Sequence, residues 1–259
     1  MKPTNIILDL LRTYPSRGTT VQKIMKTGAM FEFSENLMRV SLSRLVARGT
    51  IENFQRGLYR LTDSTDHLND FIEEWRQGDR RRCQWHKDWI LVQSEQGSWA
   101  LNATGFRPLE GNLWARPDNL ARSPDALQQL LTDLGASPDS IVATNARLTR
   151  DKADKMLNQY DLTKLSTSYL ETIQKLNDSL LRLDVMPVDA AQRECFHLGG
   201  NAIQVLALDP LLPDEVLPGN NRLKLWQLML DYDRVGREIW RGRTGDQLAT
   251  LPRAQVKTG

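Results

Sequence analysis

Asn36, Arg39, Val40, Ser43 and Arg44 recur at steps of three and four residues, so a helix carrying them presents all five on one side. Their types suit reading a nucleic acid. A guanidinium pairs bidentately with guanine and a carboxamide with adenine, while hydroxyls and cations hold phosphates. On the opposite side Met38, Leu42 and Leu45 form an apolar stripe for burial. Gly49 ends this helix, and a short basic hairpin is expected next, Ile51 to Phe54 and Leu58 to Leu61. Gln55 and Arg56 lie at its tip, where Arg56 is expected to hold a phosphate or reach the minor groove. Gly57 supplies the positive φ of a tight turn.

Catalytic chemistry has no comparable signature. The chain lacks a phosphate-binding Gly-rich loop, a dinucleotide fingerprint, a His-Glu-x-x-His helix and a Gly-x-Ser-x-Gly elbow. Cys83 with His86, and Cys195 with His197, come nearest to metal-ligand pairs. Neither spacing is diagnostic, so no bound metal and no catalytic residue is expected, and Cys195 and His197 read as core residues of a helix. Trp85, Trp89 and Trp114 read as core before they read as a stacking surface.

The elements that must position the basic face follow from caps and stops. Thr4 caps a first helix with Ile7, Leu10 and Leu11 on one side, ended by Pro15 and Gly18. Thr20 opens a second helix stopped by Gly28, and Ser34 caps the third, whose first turn suits Glu35. Three helices and a basic hairpin over residues 1–62 outline a winged helix-turn-helix. Residues 63–84 read as a connecting helix with Leu68, Phe71, Ile72 and Trp75 inward, its Arg80–Arg82 end solvated.

Residues 85–150 read as a small α+β unit. Its strands are Trp89 to Val92, Gly111 to Arg116 and one from Ser140, with a helix from Pro124 to Leu134. From 151 to 243 the pattern is helical. A seam of Leu162, Leu165, Tyr169, Ile173, Leu176, Leu180 and Leu183 is expected to pack within the chain, with a dimer contact as the alternative. Asp189 is a cap for the next helix, and a last helix runs through Leu225, Met229, Tyr232, Val235 and Ile239. Residues 244–259 read as a loosely ordered tail.

Composition is consistent with this. Across 259 residues the net charge is only +2, but residues 1–62 hold ten Lys and Arg against four Asp and Glu. That gives +6 for the head and −4 for the remainder, a basic head suited to a polyanion. Two distant cysteines fit a reducing cytoplasm, and neither a signal peptide nor a membrane span is expected.

Three blocks resemble one family, the PaaX-like transcriptional regulators. The first runs from Arg39 to Gly49 with Leu58–Thr62 after it, the second is Gly111–Pro117, and the third Asp209–Pro213 with Leu217–Pro218. The resemblance implies a winged-helix head, a middle domain of ferredoxin-like α+β type similar to the small CRISPR-associated Cas2 fold, and a helical carboxy-terminal domain. It also implies a homodimer released from an inverted-repeat operator on double-stranded DNA by phenylacetyl-CoA or a related acyl-CoA. The segment Gln93–Thr104 is too short for the family's full first middle helix, and the wing is short. An effector is nonetheless expected near Arg107, Trp114 and Arg116, two cations for phosphates beside a ring for stacking. The reading is therefore a non-enzymatic, cytoplasmic repressor of a catabolic operon. The alternatives are a metal-dependent nuclease on the Cas2-like unit, with Asp88 as its one candidate acid, or a DNA-binding protein without an effector.

Overall fold

The computed structural model describes residues 2–13 and 18–240. The expectations that Pro15 ends the first helix and that 244–259 form a tail lie outside the described residues. The protein is mixed α and β, with two antiparallel sheets.

In the head, α1 (Pro3–Thr13), α2 (Val21–Met30) and α3 (Glu35–Ala47) enclose Ile7, Leu10, Leu11, Ile24, Met38, Leu42 and Leu45. Thr20 caps α2, its hydroxyl accepting from Lys23 N, and Ser34 caps α3 by accepting from Leu37 N, both at 3.3 Å. The hairpin is β2 (Ile51–Gln55) with β3 (Leu58–Leu61), and β1 (Thr19–Thr20) adds a third strand on the far side of β3. That strand of two residues carries no sequence pattern of its own. Gly28 does not stop α2, which continues to Met30. A Cβ on Gly28 would lie 2.5 Å from Met38 Cγ, so this glycine serves the close approach of α2 to α3.

The connection is α4 (Asp63–Glu73) followed by a 3-10 stretch, Glu74–Arg81. The break falls at Gly78, which has φ +56 and lies against the Trp226 indole, leaving no room for a Cβ. Trp75 and Phe71 are buried, as their spacing predicts. The Arg80–Arg82 end is not simply solvated. Arg81 donates to Leu206 O at 3.2 Å, and Arg82 to Leu212 O and Asp214, both at 3.0 Å, so two of the three arginines bind the carboxy-terminal part to the connector.

The middle unit runs β4 (Trp89–Gln93), α5 (Ser98–Ala103), β5 (Arg107–Glu110), β6 (Leu113–Pro117), α6 (Pro124–Asp133) and β7 (Ile141–Ala146). Its sheet order is β5-β6-β4-β7, with every pairing antiparallel. Strand alternation divides its core. Ile90 and Val92 face Ala100, Leu101, Leu127 and Leu131 of the two helices, while Trp89 and Ala115 face Met156 of α7 (Arg150–Leu157). The helix between β4 and β5 spans only six residues.

Three long helices complete the chain, α8 (Leu162–Leu180), α9 (Val188–Ala207) and α10 (Asn221–Trp240). Asp189 lies in the first turn of α9, while Pro187 occupies the cap position. Tyr169, Leu176 and Leu183 of the α8 seam are buried with Trp75, Ala202, Leu225 and Met229. Leu165, Ile173 and Leu180 pack against the same cluster, so much of the seam is used within the chain, as its default reading expects. No helix among the described residues is long and apolar enough to cross a membrane.

Candidate nucleic-acid interface

α3 divides as its spacing predicts. Met38, Leu42 and Leu45 are buried, while Asn36, Arg39, Val40, Ser43 and Arg44 are all exposed. Arg39 is held by Glu35 one turn earlier, at 2.9 Å from Nε and 2.5 Å from Nη2. Both partners are well exposed, so the pair contributes no more than about 1 kcal/mol and can be exchanged for a base or phosphate. The positive end of α3 adds a second attraction for phosphate, offset in part by Glu35 in its first turn.

Gln55 and Arg56 are exposed at the hairpin tip, and Gly57 holds φ +76. The strands bring in a side chain that sequence spacing alone did not select. Arg60 on β3 is exposed, pairs with Glu52 at 2.5 Å and lies 4.8 Å over the Phe54 ring. Its signal is the alternation of β3, where Tyr59 and Leu61 turn inward and Arg60 outward. The outer face of α3 and the ribbon thus each carry exposed cations, Arg39 and Arg44 on the helix and Arg56 and Arg60 on the ribbon.

The three candidate effector residues are each engaged within the fold. Arg116 is fully buried, its guanidinium donating to Thr104 O, to Pro117 O at 3.2 Å, and to Asn119 Oδ1 and Pro210 O at 3.1 Å each. Burial lowers its pKa to about 10, so it stays charged at neutral pH, committed to carbonyls inside the fold. Trp114 packs against the core of the middle unit. Arg107 donates to Phe106 O at 2.7 Å and lies 4.8 Å over the Tyr160 ring. The expectation of two phosphate-binding arginines beside a stacking ring is not met at these positions, because a strand end inside a three-part protein need not face solvent.

The Cys–His pairs also separate. Cys83 is exposed and Cys195 is buried, its thiol pushed up to about 12 by burial. His197, expected in the core, is instead exposed at one side of α9, with its ring 5.5 Å from Phe31 of the head. Asp88 is buried at the start of β4, and among the described residues no group of three His, Cys, Asp or Glu side chains converges.

Residues 3–65 match the family described as PaaX-like protein, a span covering the three head helices and the sheet. The head is therefore PaaX-like. No curated protein matches the chain. Among solved structures, an uncharacterized protein, Rv0674 from Mycobacterium tuberculosis, is similar at 19% identity with a TM-score of 0.59, over 93% of this chain and 98% of that one. That likeness is one of fold and extends to all three parts.

Proposed function

We propose that this protein is a sequence-specific DNA-binding transcriptional regulator, a homodimeric, non-enzymatic repressor of a catabolic operon such as one for phenylacetate. In this reading the head is a winged helix-turn-helix. α3 enters the major groove through Asn36, Arg39, Val40, Ser43 and Arg44, and the β2–β3 wing follows the backbone through Gln55 and Arg56. The β-α-β-β-α-β unit is the ferredoxin-like, Cas2-like middle domain, followed by a helical carboxy-terminal domain, and an acyl-CoA or aromatic acid releases the protein from DNA in the cytoplasm. One observation carries the reading: every polar residue expected on the reading face of α3 is exposed, opposite a stripe that is fully buried. The PaaX-like match over the same residues supports it.

Selection of bound fragments from a random pool of double-stranded DNA, followed by footprinting, tests the proposal. An inverted repeat with half-sites one or more helical turns apart is expected, with the protein sedimenting as a dimer. Recovery of no sequence preference at moderate salt would overturn it.

A further inference from the structure

A cavity of about 60 Å³ lies where the connector, the middle unit and the end of α9 meet. Its polar wall holds Arg81 and Arg116, and its apolar wall holds Phe71, Leu130 and Leu211. The acids at this cavity are already engaged. Glu74 pairs with Arg122 at 2.5 Å, and Asp209 accepts from Tyr169 Oη at 2.8 Å and Leu211 N at 2.7 Å. Arg81 and Arg116, by contrast, bond to backbone carbonyls and one carboxamide, and among the described residues neither hydrogen-bonds a carboxylate. Arg81 also keeps Nη1 without a partner among the described residues.

We propose that this cavity takes the carboxylate head of a small organic acid between Arg81 and Arg116, with any tail leaving past Ala121. Buried charge is costly unless an opposite charge compensates it, and a carbonyl supplies only a dipole. Asp209 and Glu74 offset part of this charge through space but bond neither arginine. Arg81, whose Nη1 has no partner among the described residues, can therefore take a carboxylate bidentately, with Arg116 adding its charge beside it. Burial pulls both arginines below the usual guanidinium range, the direction expected where desolvation outweighs the nearby acids. The volume suits a carboxylate with one or two carbons behind it, and a thioester has no free carboxylate to offer.

The site rests on the proposed regulatory function only for its consequence. A ligand there touches the connector at Arg81 and α9 at Ala207. The other half of α9 carries Phe196, which meets the head about 16 Å along the helix. Occupancy is thus placed to bias how the head is held, provided the ligand prefers one arrangement.

Calorimetry on the full chain without DNA tests binding, using acetate, phenylacetate and phenylacetyl-CoA as probes. Acetate and phenylacetate are expected to bind and to raise the melting temperature, and phenylacetyl-CoA is expected not to compete with them. Arg81→Gln should weaken both acids by about tenfold or more, the loss of one charge-assisted contact. Ala121→Leu, which narrows the mouth and leaves both guanidinium groups and the Ala121 N to Arg81 O bond in place, should weaken phenylacetate more than acetate. Melting curves without ligand confirm that each variant folds. Failure of both acids to bind at millimolar concentration, equal binding to both variants, or binding by the thioester in place of the acids would overturn the proposal. Because DNA is absent, these outcomes are separate from a failure of the head to select DNA.

Discussion

The Phe31 ring at the end of α2 lies 5.1 Å from the Phe196 ring of α9, tilted by 58°. Beside it Arg193 Nη1 donates 2.8 Å to Met30 O, which ties the same helix end to α9 across 163 positions of sequence. Since α2 packs on α3, these contacts help fix how the reading face is aimed relative to the body.

That contact can be removed without touching either core. Arg193→Ala combined with Phe31→Ala should leave the head and the carboxy-terminal helices folded, because neither residue belongs to their buried clusters. Hydrogen exchange at the last turn of α2 should rise, and stability should fall by about 1–2 kcal/mol for the lost bond and ring contact. The salt dependence of DNA binding should stay unchanged, since no phosphate contact is removed. Unchanged exchange in α2 would show that the head is held by other means.

His197 lies in the same contact, and burial lowers its pKa below the ordinary histidine value of 6.5. The folded state therefore binds a proton less readily than the unfolded state. Stability from this group is fully present above about pH 6.5 and is lost as pH falls through the folded pKa. Melting curves between pH 5 and 8 should show a larger acid-side loss for the wild type than for His197→Phe. Coincident profiles would remove His197 from the head contact.

The pairing of Arg39 with Glu35 predicts opposite effects at the two residues. Arg39→Ala should weaken binding to the selected DNA by about 1–3 kcal/mol and relax sequence preference. Glu35→Gln should strengthen binding, since it frees Arg39 and removes a negative charge from the edge of the phosphate backbone. Arg56→Ala should weaken all sequences alike and reduce the salt slope by about one. Titrations at two salt concentrations separate the three outcomes.

Local chemistry made the head legible. Thr20 and Ser34 act as caps as their positions imply, and the third-helix stripe is buried at Met38, Leu42 and Leu45. What escaped is long-range. β1 exists only because β3 offers it an edge, and Gly28 looks like a stop because the sequence does not show Met38 against it. Arg81 and Arg82 look like solvent-facing cations and Arg116 like an effector contact, yet each donates to a carbonyl from Leu206 to Leu212. The Gly111–Pro117 and Asp209–Pro213 blocks meet in space, a relation that spacing along the chain does not encode.

That meeting yields the last prediction. Arg116 supplies donors to Thr104, Pro117, Pro210 and Asn119, while Asn119 donates to Leu211 O at 2.7 Å, so one buried side chain joins the middle sheet to the segment leading into α10. Replacing it by an apolar residue relieves the cost of burying a charge but orphans three carbonyls, each costing about 1–3 kcal/mol. The second effect is the larger, so Arg116→Leu should lose about 3 kcal/mol of stability. Arg116→Lys should also lose, because an ammonium cannot span carbonyls on several sides as a planar guanidinium does. With its pKa near 10, the group is charged in both the folded and unfolded states from pH 6 to 8, so the loss should be the same across that window. Urea titrations at pH 6 and pH 8 measure it, and a variant as stable as the wild type would show that Pro210 and Thr104 are satisfied without Arg116.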